Sequence, residues 1–324
     1  MRNANTLSKG VRTLNKSKIE WCDSTWNPVT GCLHNCPYCY AESIANRFGL
    51  PYAPKLGDPG LDGCKYDSPE GMDTMLELNK PYYKNGRLQP YPMAFLPTFH
   101  RYRLNEPVQK TRPLNIFVCS MADLFGEWVP DEWIDEVFQS CFNADRHRYM
   151  FLTKNPKRYD SAIDYICGEE RGFETEHWDN MWFGTTINRQ KDTARVKYLE
   201  TFSEGHKFLS IEPLQENIDL DLSGIRCPSC GSVNVYQDNP ATTPAGTPPF
   251  YCEDCGEWEG VEPAKLIEWV IVGAQTGPGA KPPEPEWVQS LIDQCRAAGI
   301  PIFLKNNLNW PMKIQEFPWG KESD

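Results

Sequence analysis

The sequence lacks a long hydrophobic run, and this excludes a helical membrane protein. No apolar stretch approaches the roughly 18 residues that a membrane-spanning helix needs. The N-terminus is polar and has no apolar signal region, so nothing in the sequence predicts export. We therefore expect a cytoplasmic protein with no membrane partner.

Positive charge is also scarce. The chain has 33 Lys and Arg residues against 44 Asp and Glu residues, which gives a formal net charge of −11 at pH 7. This balance excludes the broad basic surface that is typical of proteins binding nucleic acid along an extended face. A local basic cleft is still compatible with it.

A Gly-rich phosphate-binding loop is absent as well, which argues against a doubly wound nucleotide-binding sheet. The sequence has instead a regular alternation of short apolar runs and helical patterns. The apolar runs lie at 115–119, 148–153, 181–186, 207–211, 267–273 and 301–304. Continuous apolar runs between helices indicate buried parallel strands. With the strand that leads into Cys32 the count is about seven, so the sequence predicts an α/β fold, a partial TIM-like barrel.

Polar residues follow these runs, at the predicted carboxyl ends of the strands. In barrels of this kind the chemistry is located at that end. The candidate site residues are Ser120, Lys154, Thr185, Glu212, Gln275 and Lys305. Cys119 lies beside one strand end and is a candidate catalytic thiol, with a buried structural thiol as the simpler interpretation.

Three of the 13 cysteines stand close together, at Cys32, Cys36 and Cys39. Such a group of thiolates suits a 4Fe–4S cluster or zinc, because soft sulfur ligands select these metals. Three ligands would leave the fourth iron of a cluster open to a small molecule. The alternative is a zinc site completed by Cys22 or His34, which lacks the second pair of cysteines usual in structural zinc sites.

A second set of cysteines has a different spacing. Two residues separate Cys227 from Cys230 and Cys252 from Cys255, and 21 residues lie between the two pairs. This spacing predicts a zinc ribbon, in which four thiolates close a tetrahedral structural site for Zn²⁺. An auxiliary Fe–S cluster is the alternative. The ribbon would either dock a nucleic acid or protein partner or stabilise its own loop. Cysteines grouped as metal ligands also agree with a reducing cytoplasm.

The predicted organisation is a polar lead-in at 1–20 followed by a barrel over 21–324. Two insertions interrupt the barrel, a lid or substrate-binding segment at 50–113 and the ribbon at 223–262. Near the end of the first insertion, His100, Arg101 and Arg103 alternate with aromatic residues. Such a mixture suits stacking on bases and pairing with phosphates. The alternative is a surface segment whose aromatic residues pack on the barrel.

The C-x3-C-x2-C spacing, with Tyr38 just before the last cysteine, resembles the radical S-adenosylmethionine (radical SAM) superfamily. Further blocks are similar to a phage-borne radical-SAM-like family whose members carry a WNPVTGC start motif. These blocks are 26–32, 120–125, 152–154, 212–214, 269–273 and 277–280. Cys119 and the Lys305-Asn306-Asn307 ending depart from the residues usual in that family, which leaves the substrate open.

The resemblance implies a 4Fe–4S cluster on Cys32, Cys36 and Cys39 whose open iron chelates SAM. An electron from a reductant such as flavodoxin or ferredoxin would cleave SAM to methionine and a 5′-deoxyadenosyl radical, which abstracts hydrogen from the substrate. If the chain is phage-encoded, this would take place in the host cytoplasm.

The same resemblance assigns roles to the strand-end residues. The backbone of Tyr38 would contact adenine, and Thr185 and Glu212 would bind the ribose or the methionine amine. Lys154 would bind the methionine carboxylate or an anionic substrate. Ser120 and Gln275 are further cofactor-binding candidates. The predicted catalytic residues are Lys154, Glu212, Cys119 and Lys305.

Three functions compete for this sequence. The first is a radical SAM enzyme that rearranges a modified nucleobase, such as an amino-acid-modified thymine in phage DNA. The second is a radical SAM enzyme that modifies a protein or peptide, with the ribbon as docking module. The third is a non-enzymatic protein that binds nucleic acid through its metal knuckles, which the barrel pattern and the acidic charge disfavour.

Overall fold

The computed structural model describes residues 14–49, 65–67, 75–168, 178–201, 204–227, 229–230, 232–237, 250–256, 264–277 and 279–320. Most of the predicted lead-in and parts of both predicted insertions lie outside the described residues. Among the helices of the described part, none is long and apolar enough to cross a membrane.

Short strands and four α-helices make up the described chain. The strands are β1 Asn15–Lys16, β2 Ser24–Trp26, β3 Val29–Thr30, β4 Lys65–Asp67, β5 Met75–Leu78, β6 Tyr83–Lys84, β7 Arg87–Leu88, β8 Thr98–His100, β9 Asn115–Val118, β10 Arg148–Thr153, β11 Met181–Thr186, β12 His206–Ile211, β13 Ile225–Arg226, β14 Val235–Gln237, β15 Phe250–Cys252, β16 Ala264–Lys265, β17 Trp269–Val272 and β18 Ile302–Leu304. The helices are α1 Tyr40–Phe48, α2 Asp131–Phe142, α3 Arg158–Cys167 and α4 Pro285–Ala298. Shorter 3₁₀ segments lie at Arg101–Arg103, Gln190–Leu199 and Asn306–Leu308.

The main sheet has the strand order β1-β2-β9-β10-β11-β12-β17-β18. Seven of its strands are parallel, and β1 pairs with β2 in the antiparallel sense. Each apolar run predicted from residue 115 onward is one of these strands. The protein is therefore a mixed α/β protein whose parallel sheet is compatible with a partial TIM-like barrel, as the sequence predicts.

The chain divides into two compact units. The first comprises Met1–Leu33, Ala41–Ala122 and Glu132–Tyr149. The second comprises His34–Tyr40, Asp123–Asp131 and Met150–Asp324. Strand β10 has residues in both, so the division does not follow the boundaries of the secondary structure.

The first unit contains a sheet that the sequence does not predict. Its order is β3-β8-β5-β4, and it includes three strands from the region predicted as a lid. The β5 side chains Leu76 and Leu78 form a buried cluster with Tyr82 and Met93. The described residues of 75–113 are thus in part a packed sheet. The residues at 50–64 and 68–74 lie outside the description.

The basic residues of the predicted lid are used inside the first unit. Arg101 donates to both carboxylate oxygens of Glu136, at 2.7 and 2.8 Å, and to Glu77 at 3.1 Å. Arg103 is buried and donates to the carbonyl of Asn27 at 2.9 Å. His100 is fully buried, and burial holds its pKa well below the usual value. This arrangement favours the alternative of a packed segment over the predicted phosphate contacts.

The second unit contains the remaining strands of the main sheet. Strands β11 and β12 pair in parallel with Gly184 opposite Phe208. A side chain at Gly184 would lie 2.5 Å from the ring of Phe208, so this position has room only for glycine. Helix α4 begins with Pro285 and is followed by Gly299 at φ 69°, a left-handed C-cap. Between β11 and β12 the chain forms the 3₁₀ segment Gln190–Leu199.

We expect Arg101→Ala to lower the free energy of unfolding by about 1–3 kcal/mol, because Glu77 and Glu136 would lose the cation between them. Chemical denaturation monitored by circular dichroism measures this. Arg112→Ala, at an exposed position, is the matched control and should be near neutral. Equal stability of both variants would show that the Arg101 ion pairs do not support the first unit.

Candidate functional site

The loop that carries Cys36 and Cys39 has a defined backbone. The amide of Cys39 donates to the carbonyl of Cys36 at 3.0 Å, which closes a turn. Pro37 occupies the second position of that turn, where its fixed φ is favourable. Asn35 has φ 52°, a left-handed conformation that Asn tolerates better than most residues. The sequence of the loop therefore matches the backbone that it adopts.

Cys32 follows a glycine whose conformation is restricted in the first unit. Gly31 has φ 89°, and a Cβ there would lie 2.2 Å from the carbonyl oxygen of Leu96. The amide of Gly31 donates to Met121 at 2.9 Å, and that of Cys32 donates to Phe95 at 3.0 Å. The backbone on the N-terminal side of Cys32 is thus fixed by main-chain hydrogen bonds.

His34 connects the cysteine loop to a buried carboxylate. Its Nε2 donates to Oδ2 of Asp123 at 2.7 Å, and its ring packs edge-on against Trp128. Asp123 also accepts from the hydroxyl of Thr153 at 2.6 Å and from the amide of Lys154 at 2.9 Å. Burial works to raise the pKa of Asp123, but these hydrogen bonds outweigh it and hold the pKa below its usual value. The carboxylate is therefore ionised at neutral pH.

Tyr38 makes a second connection. Its hydroxyl donates to Oδ1 of Asn188 at 2.7 Å, just beyond the carboxyl end of β11. Burial, with a smaller contribution from Cys36, raises the pKa of Tyr38 to about 12, so the hydroxyl stays protonated and remains a donor. The ammonium group of Lys154 lies 5.9 Å from the centre of the Tyr38 ring. Lys154, predicted as a site residue, is thus beside the cysteine loop.

The structure brings together two more predicted residues, Glu212 and Lys305. They form an ion pair at the carboxyl ends of β12 and β18. Gly273, at the end of β17, lies directly beneath this pair. A Cβ there would be 3.0 Å from Cδ of Lys305 and 3.1 Å from Cδ of Glu212. The side-chain amide of Asn307 binds the backbone of Ala274, the residue after Gly273. Its oxygen accepts from the N–H of Ala274, and its nitrogen donates to the carbonyl of Ala274.

The remaining predicted site residues are Thr185, Gln275, Ser120 and Cys119, and each is buried or partly buried. Thr185 is fully buried and donates its hydroxyl to the carbonyl of Thr153 at 3.0 Å, which favours a role in the sheet. Gln275 is half-buried. In the first unit, Ser120 donates to Oδ1 of Asn27 at 3.2 Å. Cys119 is 3% exposed and has φ 56°, so its thiol lies in the interior.

A four-cysteine centre is present in the second unit. The sulfur atoms of Cys227, Cys230, Cys252 and Cys255 all lie within 4.8 Å of one another. Sulfur–sulfur distances of 3.7 Å for Cys227–Cys255 and 3.5 Å for Cys230–Cys252 match the roughly 3.8 Å expected around one tetrahedral zinc ion. This group could hold a metal ion such as zinc.

Asp254 links the two halves of this centre. It accepts from the hydroxyl of Ser232 and from the side-chain amide of Asn234, both of which follow the first cysteine pair. Burial opposes ionisation of Cys252, but backbone N–H groups of Cys255 and Asp254 outweigh it and lower its pKa to about 7. A thiol with a lowered pKa is a good metal ligand, because metals bind the thiolate. Pro228, Gly231 and most of the intervening loop lie outside the described residues.

Among the residues that the structure describes, no second set of three such ligand atoms lies within 4.8 Å. Of the two residues that the sequence offers as further zinc ligands, Cys22 lies 3.3 Å from the hydroxyl of Ser17, and His34 donates to Asp123.

Sequence reasoning missed Asp123, Asn188 and Gly273 as parts of the site. Asp123 lies in the block 120–125 that carries the family resemblance, so its position carried a signal. Asn188 stands two residues beyond the predicted run 181–186, where nothing in the sequence separates it from an ordinary loop residue. Gly273 is the last residue of an apolar run, and only its neighbours in space show why it lacks a side chain.

One protein family, described as Protein of unknown function (DUF5131), matches residues 16–317. The chain belongs to the DUF5131 family. No curated protein and no solved structure matches it. A function for this DUF5131 protein is therefore inferred from the arrangement of its own residues.

We expect the DUF5131 protein to contain about one zinc per chain, lost in Cys252→Ser, because three thiolates cannot close a structural site. Elemental analysis of purified protein measures this. Cys167→Ser changes a half-buried thiol outside the centre and should keep the zinc. Iron with sulfide at this centre would instead establish an auxiliary cluster, and protein purified without any metal would contradict the assignment.

Proposed function

We propose that this DUF5131 protein is a radical SAM enzyme. The observation that carries the proposal is the attachment of the C-x3-C-x2-C loop to the ends of parallel strands. In this loop, His34 contacts Asp123, which follows β9 in the sequence. Tyr38 contacts Asn188, which follows β11. In barrels with parallel strands, this is the end where chemistry is located.

The donor set fits a 4Fe–4S cluster. It provides three half-buried thiols on one short loop, Cys32, Cys36 and Cys39, so a cubane bound here would keep one iron for SAM. When bound, the reduced cluster would supply the electron that splits SAM into methionine and the 5′-deoxyadenosyl radical that abstracts hydrogen from the substrate. The role of the protein is to hold these groups and exclude water.

Lys154 supplies positive charge beside the loop. Its ammonium group lies over the ring of Tyr38, and no carboxylate in the described part of the chain forms an ion pair with it. A cation in this position suits the carboxylate of the methionine moiety. Glu212 and Lys305 are charged groups at the carboxyl ends of strands in the same unit. They offer one acceptor and one donor to the substrate, and the lack of a side chain at Gly273 gives the pair its room.

For the substrate we propose a modified nucleobase, with a protein or peptide as the alternative. The basic residues predicted to support a nucleobase substrate differ in their surroundings. Arg101 and Arg103 form hydrogen bonds within the first unit, which weakens the support for the phosphate contacts predicted for them. Of the two predicted lysines, Lys305 pairs with Glu212, whereas Lys154 forms no ion pair with a carboxylate among the described residues. A single cation suits a nucleoside or a flipped base better than a long DNA strand. Nucleoside mass spectrometry after anaerobic incubation with SAM, dithionite and phage DNA distinguishes these substrates.

We assign a structural zinc ion to the four-cysteine centre. Arg226, just before Cys227, donates to Glu268 at 2.5 Å, and Glu268 accepts from His206 at 2.7 Å. These contacts attach the ribbon at the amino ends of β12 and β17, opposite to the end proposed for the chemistry. The position supports a role in stability, because a metal there is remote from the strand ends that carry Glu212 and Lys305.

We expect anaerobic reconstitution to give about four irons and four sulfides per chain. Cys36→Ala should lose most of both, together with the broad visible absorption, because the cluster would lose a ligand. Cys22→Ala is the matched control and should keep them. Wild-type protein that takes up no iron and sulfide would refute the proposed function.

We expect the reduced, reconstituted protein to release 5′-deoxyadenosine from SAM. Lys154→Met should raise the KM for SAM by about 10-fold or more, because a charge-assisted hydrogen bond to the carboxylate is lost. Lys157→Met is the control, since Lys157 pairs with Glu127 at the surface. Liquid chromatography with mass spectrometry measures 5′-deoxyadenosine and S-adenosylhomocysteine. Formation of S-adenosylhomocysteine alone would show methyl transfer and exclude radical cleavage.

A further inference from the structure

The segment His34–Tyr40, called here the anchored loop, is held at two points by side chains of the second unit. His34 donates to Asp123 on the N-terminal side of Cys36, and Tyr38 donates to Asn188 on its C-terminal side. Both donor–acceptor distances are 2.7 Å. The two contacts therefore bracket Cys36, and Cys39 follows directly after the second one.

Both acceptors are themselves fixed by several hydrogen bonds. Asp123 is 5% exposed and accepts from Thr153, from the amide of Lys154 and from the amide of Phe125. Asn188 is 3% exposed and donates through Nδ2 to the carbonyl of Pro213 at 2.9 Å. An acceptor held in this way cannot follow the loop if the loop moves. The anchors thus transfer the rigidity of the sheet to the anchored loop.

These contacts involve only atoms of the chain, so they do not depend on a bound group. A loop whose ligands are already in place avoids the entropic cost of ordering them when the metal arrives. Such a loop also restricts how each thiolate can approach its iron. Loops without such contacts would order only on metal binding, as in small metal-folded domains.

Resting on the proposed function, we propose that Asp123 and Asn188 are positioning residues that preform the anchored loop for cluster binding. They act through His34 and Tyr38, which set the position of Cys36 and Cys39.

The test changes the loop side of each contact and leaves the sheet intact. Tyr38→Phe removes only the hydroxyl that binds Asn188. His34→Phe removes the donor to Asp123 and keeps a ring against Trp128. Tyr198→Phe is the matched control, because Tyr198 is also half-buried and lies in the same unit, outside the loop. Thermal unfolding and zinc content verify that each variant folds.

The first measurement is amide hydrogen exchange of metal-free protein in a peptide covering residues 34–40. The amide of Cys39, which donates within the turn, is the reporter. We expect exchange about 10-fold faster in Tyr38→Phe and in His34→Phe, since each loses one partly buried hydrogen bond. Tyr198→Phe should exchange as wild type does. Unchanged exchange in both loop variants would overturn the inference.

The second measurement is the iron and sulfide content and the electron paramagnetic resonance spectrum of the reduced, reconstituted variants. We expect the loop variants to bind less cluster, or to bind it with an altered spectrum. Normal cluster content and an unchanged spectrum would overturn the inference while leaving the proposed function intact. Wild-type protein without iron and sulfide would refute the proposed function itself, and the exchange data would then describe an anchored loop without a cluster.

Discussion

The candidate site depends on the hydrogen bonds that the buried carboxylate of Asp123 accepts. This carboxylate is ionised in the interior because His34, Thr153 and the amides of Lys154 and Phe125 donate to it. Its pKa in the folded protein lies below the unfolded value, so the network stabilises the fold above the unfolded pKa and loses this contribution as the pH falls through the folded pKa. A single side chain thereby joins the cysteine loop to the end of β10.

Much of the sheet could be predicted from the sequence, because each buried parallel strand leaves a continuous apolar run. Met181–Thr186 is buried at every position and shows this most clearly. The small sheet of the first unit could not be predicted in this way. Its strands β5 and β8 are three or four residues long and stand among Pro, Gly and Tyr, where periodicity is too short to read. The ion pair of Arg101 could not be predicted for a related reason, since its partner Glu136 lies 35 residues away in the sequence.

The site was predictable where chemistry depends on residue type and spacing. Cys227, Cys230, Cys252 and Cys255 lie together as their spacing indicates and could hold a metal ion. Lys154, Glu212 and Lys305 lie at strand ends. The residues that hydrogen-bond to the loop of Cys36 and Cys39 left no such signal. Asn188 acts through one amide oxygen whose partner, Tyr38, is 150 residues away. Contacts of this kind depend on the folded arrangement of loops, which local sequence does not encode.

Glu212, Gly273 and Lys305 share one small space at the ends of three neighbouring strands. A side chain on the central strand would occupy the volume that the two charged chains now fill. A substitution at one of the three positions therefore affects which residues fit at the other two. A side chain at position 273 would require Lys305 and Glu212 to shift, and a smaller residue at either of their positions would leave more room for it. Within the DUF5131 family, these positions are expected to change together.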